Sequence, residues 1–385
     1  MSDDEADPEL LELLRQRLGM SSGPQDGVPR QTGVLKDAEF IYHNAIDVHV
    51  DMYGTKGAAS DIYRAMKARG YSTETWSTHV LHPKPSEGFS EVDIVNFVFT
   101  MDLLNFSFWS ERSSEDRFQV EYRGQRWTGY NSLVACLRRA LDEGIPITTP
   151  RFWTSPRCTE ETLARTFRSA TTEPIPLLSE RVAILKEAST VLRQVMHVAH
   201  ANGHRLPVSP PDHTVIRLIE EGGRSAGKLV NLLAKHFKCF QDESRFDGRK
   251  VRLLKRAQIF VADLWAAFNG TGYGEFDDID HLTMFADYRV PQSLHSLGVL
   301  TYSPPLEHLV RDLRILELGD PREVQLRGCS IWAVELIRRE ILRNHPEATS
   351  VNAVLIDFFL YDLAKEKEAQ GLPAIPHHRT RSIWY

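Results

Sequence analysis

Apolar residues recur every three to four positions over 60–69, 93–104, 131–143, 179–201, 213–238, 251–268, 291–297, 330–344 and 351–367. That spacing turns one stripe of a helix toward a core, so each segment is predicted helical. One stretch has a different period. RFQVEYRGQRWTGY (117–130) alternates polar and apolar residues around an RGQ turn and reads as a β-hairpin. REVQLRG (322–328) alternates as well and is predicted as a further strand. Too few strands alternate with helices for a Rossmann sheet, and neither GxGxxG nor GxxxxGK(S/T) occurs. The predicted fold is therefore mainly α with a small β element. Residues 1–36 stand apart: PELLELLRQRLGM suits a short amphipathic helix, but SSGPQDGVPRQTG behind it is turn-rich. A flexible N-terminal extension is expected there, with one globular unit over 37–385.

Composition narrows the function without naming it. The chain has 385 residues, 42% hydrophobic and 25% charged, enough to bury a sizeable core. A net charge of −6 argues against a nucleic-acid partner, since such binders carry a basic excess. It leaves a small anionic ligand open. Cys136, Cys158, Cys239 and Cys329 are widely spaced and form no CxxC pair, which points away from disulfide and zinc frameworks. The start MSDDEADPE lacks the apolar core of a signal peptide. No run approaches the roughly 18 apolar residues of a membrane span. An intracellular, cytoplasmic location without membrane association is expected.

Several carboxylates then draw attention. On a helix over AVLIDFFLYDLAKEK (353–367), Asp357 has Ala353, Val354, Leu360 and Tyr361 as its neighbours three and four residues away. A charge on that face loses hydration and needs a partner or a function. Pairing with an arginine and membership of a site both remain open. Asp263 in QIFVADLW has the same apolar setting (Ile259, Phe260, Ala266, Ala267), so the pattern does not single out residue 357. Asp362 lies about 140° further round an ideal helix. In LTMFADYRVPQ (282–292), Asp287 sits between Phe285 and Tyr288. Such a carboxylate either grips a flat heterocycle together with the rings or pairs with Arg289 to fix a turn. His79 and His82 of TWSTHVLHP share a helix face, but with no third ligand they make a poor zinc site. NFSFW (105–109) reads as a core cluster. WTGYNSLVACLRRALDEGIPIT (127–148) reads as scaffold, with Leu133, Cys136, Leu137, Ala140 and Leu141 as its buried stripe.

Taken in order, LNFSFWS, YRGQRWTGY leading into RALDEGIPIT, KRAQIFVADLW, TMFADYRVPQ, EVQLRGCS, AVLIDFFLYD and HHRTRSIWY resemble the queuosine salvage family of queuosine 5′-phosphate N-glycosylases/hydrolases. The resemblance runs from about residue 40 to the last residue. It implies a helical, DNA-glycosylase-like architecture that uses no cofactor and no metal. It further implies hydrolysis of queuosine 5′-monophosphate to queuine and ribose 5-phosphate. Asp357 then matches the catalytic carboxylate, as nucleophile or transition-state stabiliser. His79, Phe285, Asp287, Phe358 and Asp362 match positions that hold the base, with His82 near enough to exchange with His79. Arg289, Lys255 and Arg256 are candidates for the phosphate. Two positions depart from the family: Asn131 follows TGY where relatives often carry Trp, and Phe358 stands where relatives can have Tyr. The residues leave two other readings open, a glycosylase acting on nucleic-acid bases and a non-catalytic nucleotide-binding protein.

Overall fold

A computed structural model describes residues 27–201, 214–371 and 374–385, without the side chains of 196–201 and 369. The described chain is mainly helical: α1 Val34–Asn44, α2 Met52–Arg69, α3 Glu74–Ser77, α4 Glu91–Leu103, α5 Tyr130–Asp142, α6 Glu160–Thr166, α7 Leu178–Ala201, α8 Ile216–Gly222, α9 Ala226–His236, α10 Lys255–Ala267, α11 Arg289–Ser296, α12 Pro304–Arg311, α13 Pro321–Asn344 and α14 Ala353–Ala369. Strands β1 Val48–Val50, β2 Val120–Tyr122, β3 Gln125–Trp127, β4 Glu243–Phe246, β5 Arg249–Arg252 and β6 Leu300–Tyr302 form three two-stranded antiparallel sheets, β1–β6, β2–β3 and β4–β5. The mainly α reading with a small β element holds. The predicted hairpin is β2–β3, closed by Arg123 and Gly124 at positive φ (52° and 73°).

α13 is the axis of the molecule. Asp320 accepts from the Arg322 backbone N–H at 2.9 Å and Pro321 occupies the first turn, so the helix starts sharply. The strand expected at 322–328 is the opening of this helix. Its alternation misleads because these turns are buried on every side, and the polar residues have partners inside the protein. Gln325 accepts from the backbone N–H groups of Ile46 and Asp47, at 2.8 and 2.7 Å. Glu323 accepts from the Tyr385 hydroxyl at 2.8 Å. α1 crosses so closely that a Cβ at Gly328 would lie 2.5 Å from Ile41.

Other differences have local causes. The segment 213–238 splits into α8 and α9 because Gly223 and Arg224 take positive φ. The segment 251–268 begins as β5 and becomes α10 after Leu254 at φ 47°. Of the extension expected over 1–36, residues 1–26 lie outside the described residues. From Pro29 the chain is bound to the body: Asn231 Nδ2 donates to the Pro29 and Gln31 carbonyls, at 2.7 and 3.0 Å.

Arg327 of α13 ties the interior together. It forms a bidentate pair with buried Asp242 at 3.0 and 2.6 Å, and its Nε donates to the Ala286 carbonyl at 2.9 Å. Asp242 also accepts from the Lys255 backbone N–H at 3.1 Å, which fixes the first turn of α10. Removing one partner of a buried pair strands the other charge and costs about 3–5 kcal/mol. Asp242→Asn should therefore lose stability on that scale in urea unfolding. A loss below about 1 kcal/mol would show that the pair is not an anchor.

Candidate active site

α14 offers the cavity a broad face. Asn352 caps the helix by accepting from the Leu355 backbone N–H at 2.9 Å, and Asp357, Phe358, Tyr361, Asp362 and Lys365 follow along one side. The separation of about 140° between Asp357 and Asp362 makes them the two edges of this face. They line a cavity of about 280 Å³ together with His79, Phe285 and Asp287, so the structure brings all six expected site positions to one hollow.

Asp357 is buried, and its Oδ1 accepts from the Phe285 backbone N–H at 3.0 Å. No cation lies within ion-pair distance among the described residues. Burial, and then the neighbouring Asp287, hold its pKa well above the ordinary carboxylate range. Phe285 and Phe358 place their ring centroids 6.1 Å apart at 51°. Asp287 caps α11 through one oxygen, which accepts from the Arg289 and Val290 backbone N–H groups at 2.8 and 2.9 Å. The turn-forming reading is thus met by backbone, while the Arg289 guanidinium turns to Glu368 at 3.4 Å. Asp362 accepts from the Tyr71 hydroxyl at 2.6 Å, and burial raises its pKa.

The two histidines differ. The ring nitrogens of His82 contact the Trp76 carbonyl at 2.7 Å and the Tyr130 hydroxyl at 2.8 Å. A carbonyl only accepts, so Nδ1 carries the proton and Nε2 accepts. Complete burial pushes this histidine down to about 3, so it is neutral. His79 lies against it, ring centroids 4.6 Å apart, and is half-buried in the cavity wall.

A second chamber of about 260 Å³ adjoins the first, and Asn105, Tyr130, Lys255, Asp287, Tyr361 and Lys365 line both. Arg112, Arg117, Arg289 and Arg379 add positive charge to its lining, beside aromatic residues such as Phe106, Trp109 and Tyr288. Glu368 neutralises part of this charge, with Lys365 at 3.1 Å. Lys255 is buried at the junction and its Nζ has no hydrogen bond or ion pair among the described residues. Arg256, in contrast, is no ligand candidate. It sits in the core and donates to the carbonyls of Asp102, Leu103 and Cys239.

Sequence reasoning missed several lining residues. Gly129, Tyr130 and Asn131 open the segment read as scaffold, and Asn105 and Phe108 belong to the cluster read as core. Asp263, set aside beside Asp357, lines the same cavity. The packing of α10 against α3 and α4 places Asp263 in this wall.

The raised pKa of Asp357 has a stability consequence. Its contribution to folding is fully present below the unfolded-state value and is lost as pH rises through the folded-state value. Asp357→Asn, always neutral, should be more stable than the wild type at neutral pH by about 1 kcal/mol. The gap should close toward acid pH. Equal unfolding midpoints at neutral pH would contradict the assigned burial cost.

A model of the queuosine salvage protein family matches residues 81–385. A Schizosaccharomyces pombe protein named queuosine 5′-phosphate N-glycosylase/hydrolase is 42% identical over 91% of this chain and 99% of its own length. Proteins of the same name from Mus musculus (38%, 91% and 98%) and Nematostella vectensis (36%, 93% and 98%) are also similar. With this match over most of its length, the chain belongs to the queuosine salvage protein family.

Proposed function

We propose that this protein hydrolyses the N-glycosidic bond of queuosine 5′-monophosphate, releasing queuine and ribose 5-phosphate. The observation that carries the reading is the position of Asp357, without an ion-pair partner among the described residues and buried in an aromatic, acidic chamber that adjoins a basic one. A nucleotide with a cationic base substituent has that polarity. The substrate is a free small molecule, and family membership supplies its name.

In this mechanism the C1′–N bond breaks with its electron pair leaving on the base, while the ribose ring becomes cationic. Asp357 faces C1′ and stabilises that cation, by its field or by a transient bond; water then adds at C1′ and loses a proton, while the departing base gains one. A low local dielectric strengthens the interaction. Phe285 and Phe358 grip the flat base, with His79 beside it. Asp287 and Asp362 accept from donors of the base and from its cationic aminomethyl arm. The 5′-phosphate occupies the basic chamber, where Lys255, Arg289 and Arg379 supply N–H donors.

Purified protein should release queuine from queuosine 5′-monophosphate, followed by mass spectrometry, and Asp357→Ala should lower kcat by about 10²–10³ or more. Turnover within a few-fold of the wild type would remove Asp357 from the chemistry. Arg379→Ala should raise KM for the nucleotide while leaving the unphosphorylated nucleoside unaffected. An equal loss on both substrates would place the phosphate elsewhere.

A further inference from the structure

The inner end of the cavity holds polar groups that the mechanism above does not use. Asp263 of α10 lines it and is 4% exposed, with no ion pair among the described residues. Trp76 lines it too and is 9% exposed, and its buried indole N–H has no hydrogen-bond partner among the described residues. The indole lies beside Asp263 and favours its charged form. Behind them lies Asp102 of α4, fully buried. One of its oxygens accepts from Asn105 Nδ2 at 3.4 Å, and the other has no partner among the described residues.

A buried donor left without a partner costs about 1–3 kcal/mol, and here it stands beside a carboxyl group that forms no ion pair among the described residues. A ligand that relieves both must present an acceptor and a donor side by side. A cationic amine brings donors only and leaves the indole N–H stranded. A phosphate brings negative charge against two carboxyl groups. A lactam, with a ring carbonyl next to a ring N–H, satisfies both at once. The aromatic pair Phe285 and Phe358 in the same chamber suits the flat ring that carries such an edge.

We propose that Trp76 and Asp263 read the lactam edge of the base, the indole N–H donating to its carbonyl and the Asp263 carboxylate accepting from the adjacent ring N–H. This rests on the queuosine reading above and adds the residues that select the heterocycle. Carboxylates cannot donate to a carbonyl, so Asp287 and Asp362 leave this edge unmet. Asp102 is a positioning residue. Burial holds its pKa well above the ordinary range, and its charge raises that of Asp263. Two buried carboxyls that interact disfavour each other's ionisation.

The test compares binding of queuine with binding of its 6-deoxy analogue, a 2-amino-7-deazapurine with the same side arm but no carbonyl and no ring N–H. Calorimetry on the wild type should show a preference for queuine on the order of 10-fold or more. Asp263→Asn keeps the shape of the side chain and should narrow the preference to a few-fold. Trp76→Phe, which removes the N–H, should weaken queuine by about 10-fold with little effect on the analogue. Full preference retained in either folded variant would overturn the proposal, and Trp76→Phe decides alone if Asp263→Asn does not fold. A wild type that cleaves queuosine 5′-monophosphate but binds both bases equally also overturns it. A wild type that neither binds queuine nor cleaves the nucleotide overturns the parent reading, and this one with it.

Discussion

The buried pair of Arg327 with Asp242 is the constraint on which the site depends. Two charges removed from water are tolerated only when every donor and acceptor is used. Here Arg327 meets Asp242 through two nitrogens and the Ala286 carbonyl through the third, under the Tyr385 ring at 4.4 Å. Ala286 lies between Phe285 and Asp287, so the same guanidinium that anchors α13 holds the segment carrying both. Asp242 in turn fixes the Lys255 backbone. The wall of the cavity, the start of α10 and the axis of the fold therefore share one electrostatic anchor.

Against that satisfied pair stand groups left unsatisfied. Asp357, Asp102 and Asp263 are buried carboxyls whose pKa values are raised chiefly by desolvation, and none has an ion-pair partner among the described residues. Lys255 is a buried cation in the same condition. Proteins retain such costs where a bound molecule relieves them. The split of charge is directional: carboxyls gather in the first chamber and cations in the second. A substrate with a cationic arm at one end and a phosphate at the other is complementary to that split, and Asp357 lines the acidic chamber.

Periodicity made most helices legible, because stripes such as that of α5 face one core. It failed where burial is complete. REVQLRG looked like a strand since its polar residues are paired inside the protein instead of facing water. Short strands such as β1 and β6 escaped notice because each has three residues and finds its partner some 250 positions away. Within the site, the residues alone could not separate Asp357 from Asp263, and the structure explains why: both line the cavity. Lys255 and Arg256 are adjacent and alike in sequence, yet one faces the chambers and the other the core. That distinction lies in the hydrogen-bond partners of each guanidinium or ammonium, which no local pattern encodes.

A carboxylate placed to stabilise a ribosyl cation should bind a stable cation of that shape more tightly than the neutral sugar. The decisive measurement compares the affinity of a cationic iminoribitol 5-phosphate with that of ribose 5-phosphate, in the wild type and in Asp357→Asn. The wild type should favour the cation by about 10²-fold or more, and the variant should lose most of that preference while binding ribose 5-phosphate normally. An undiminished preference for the cation in Asp357→Asn would mean that the charge aimed at C1′ comes from another residue.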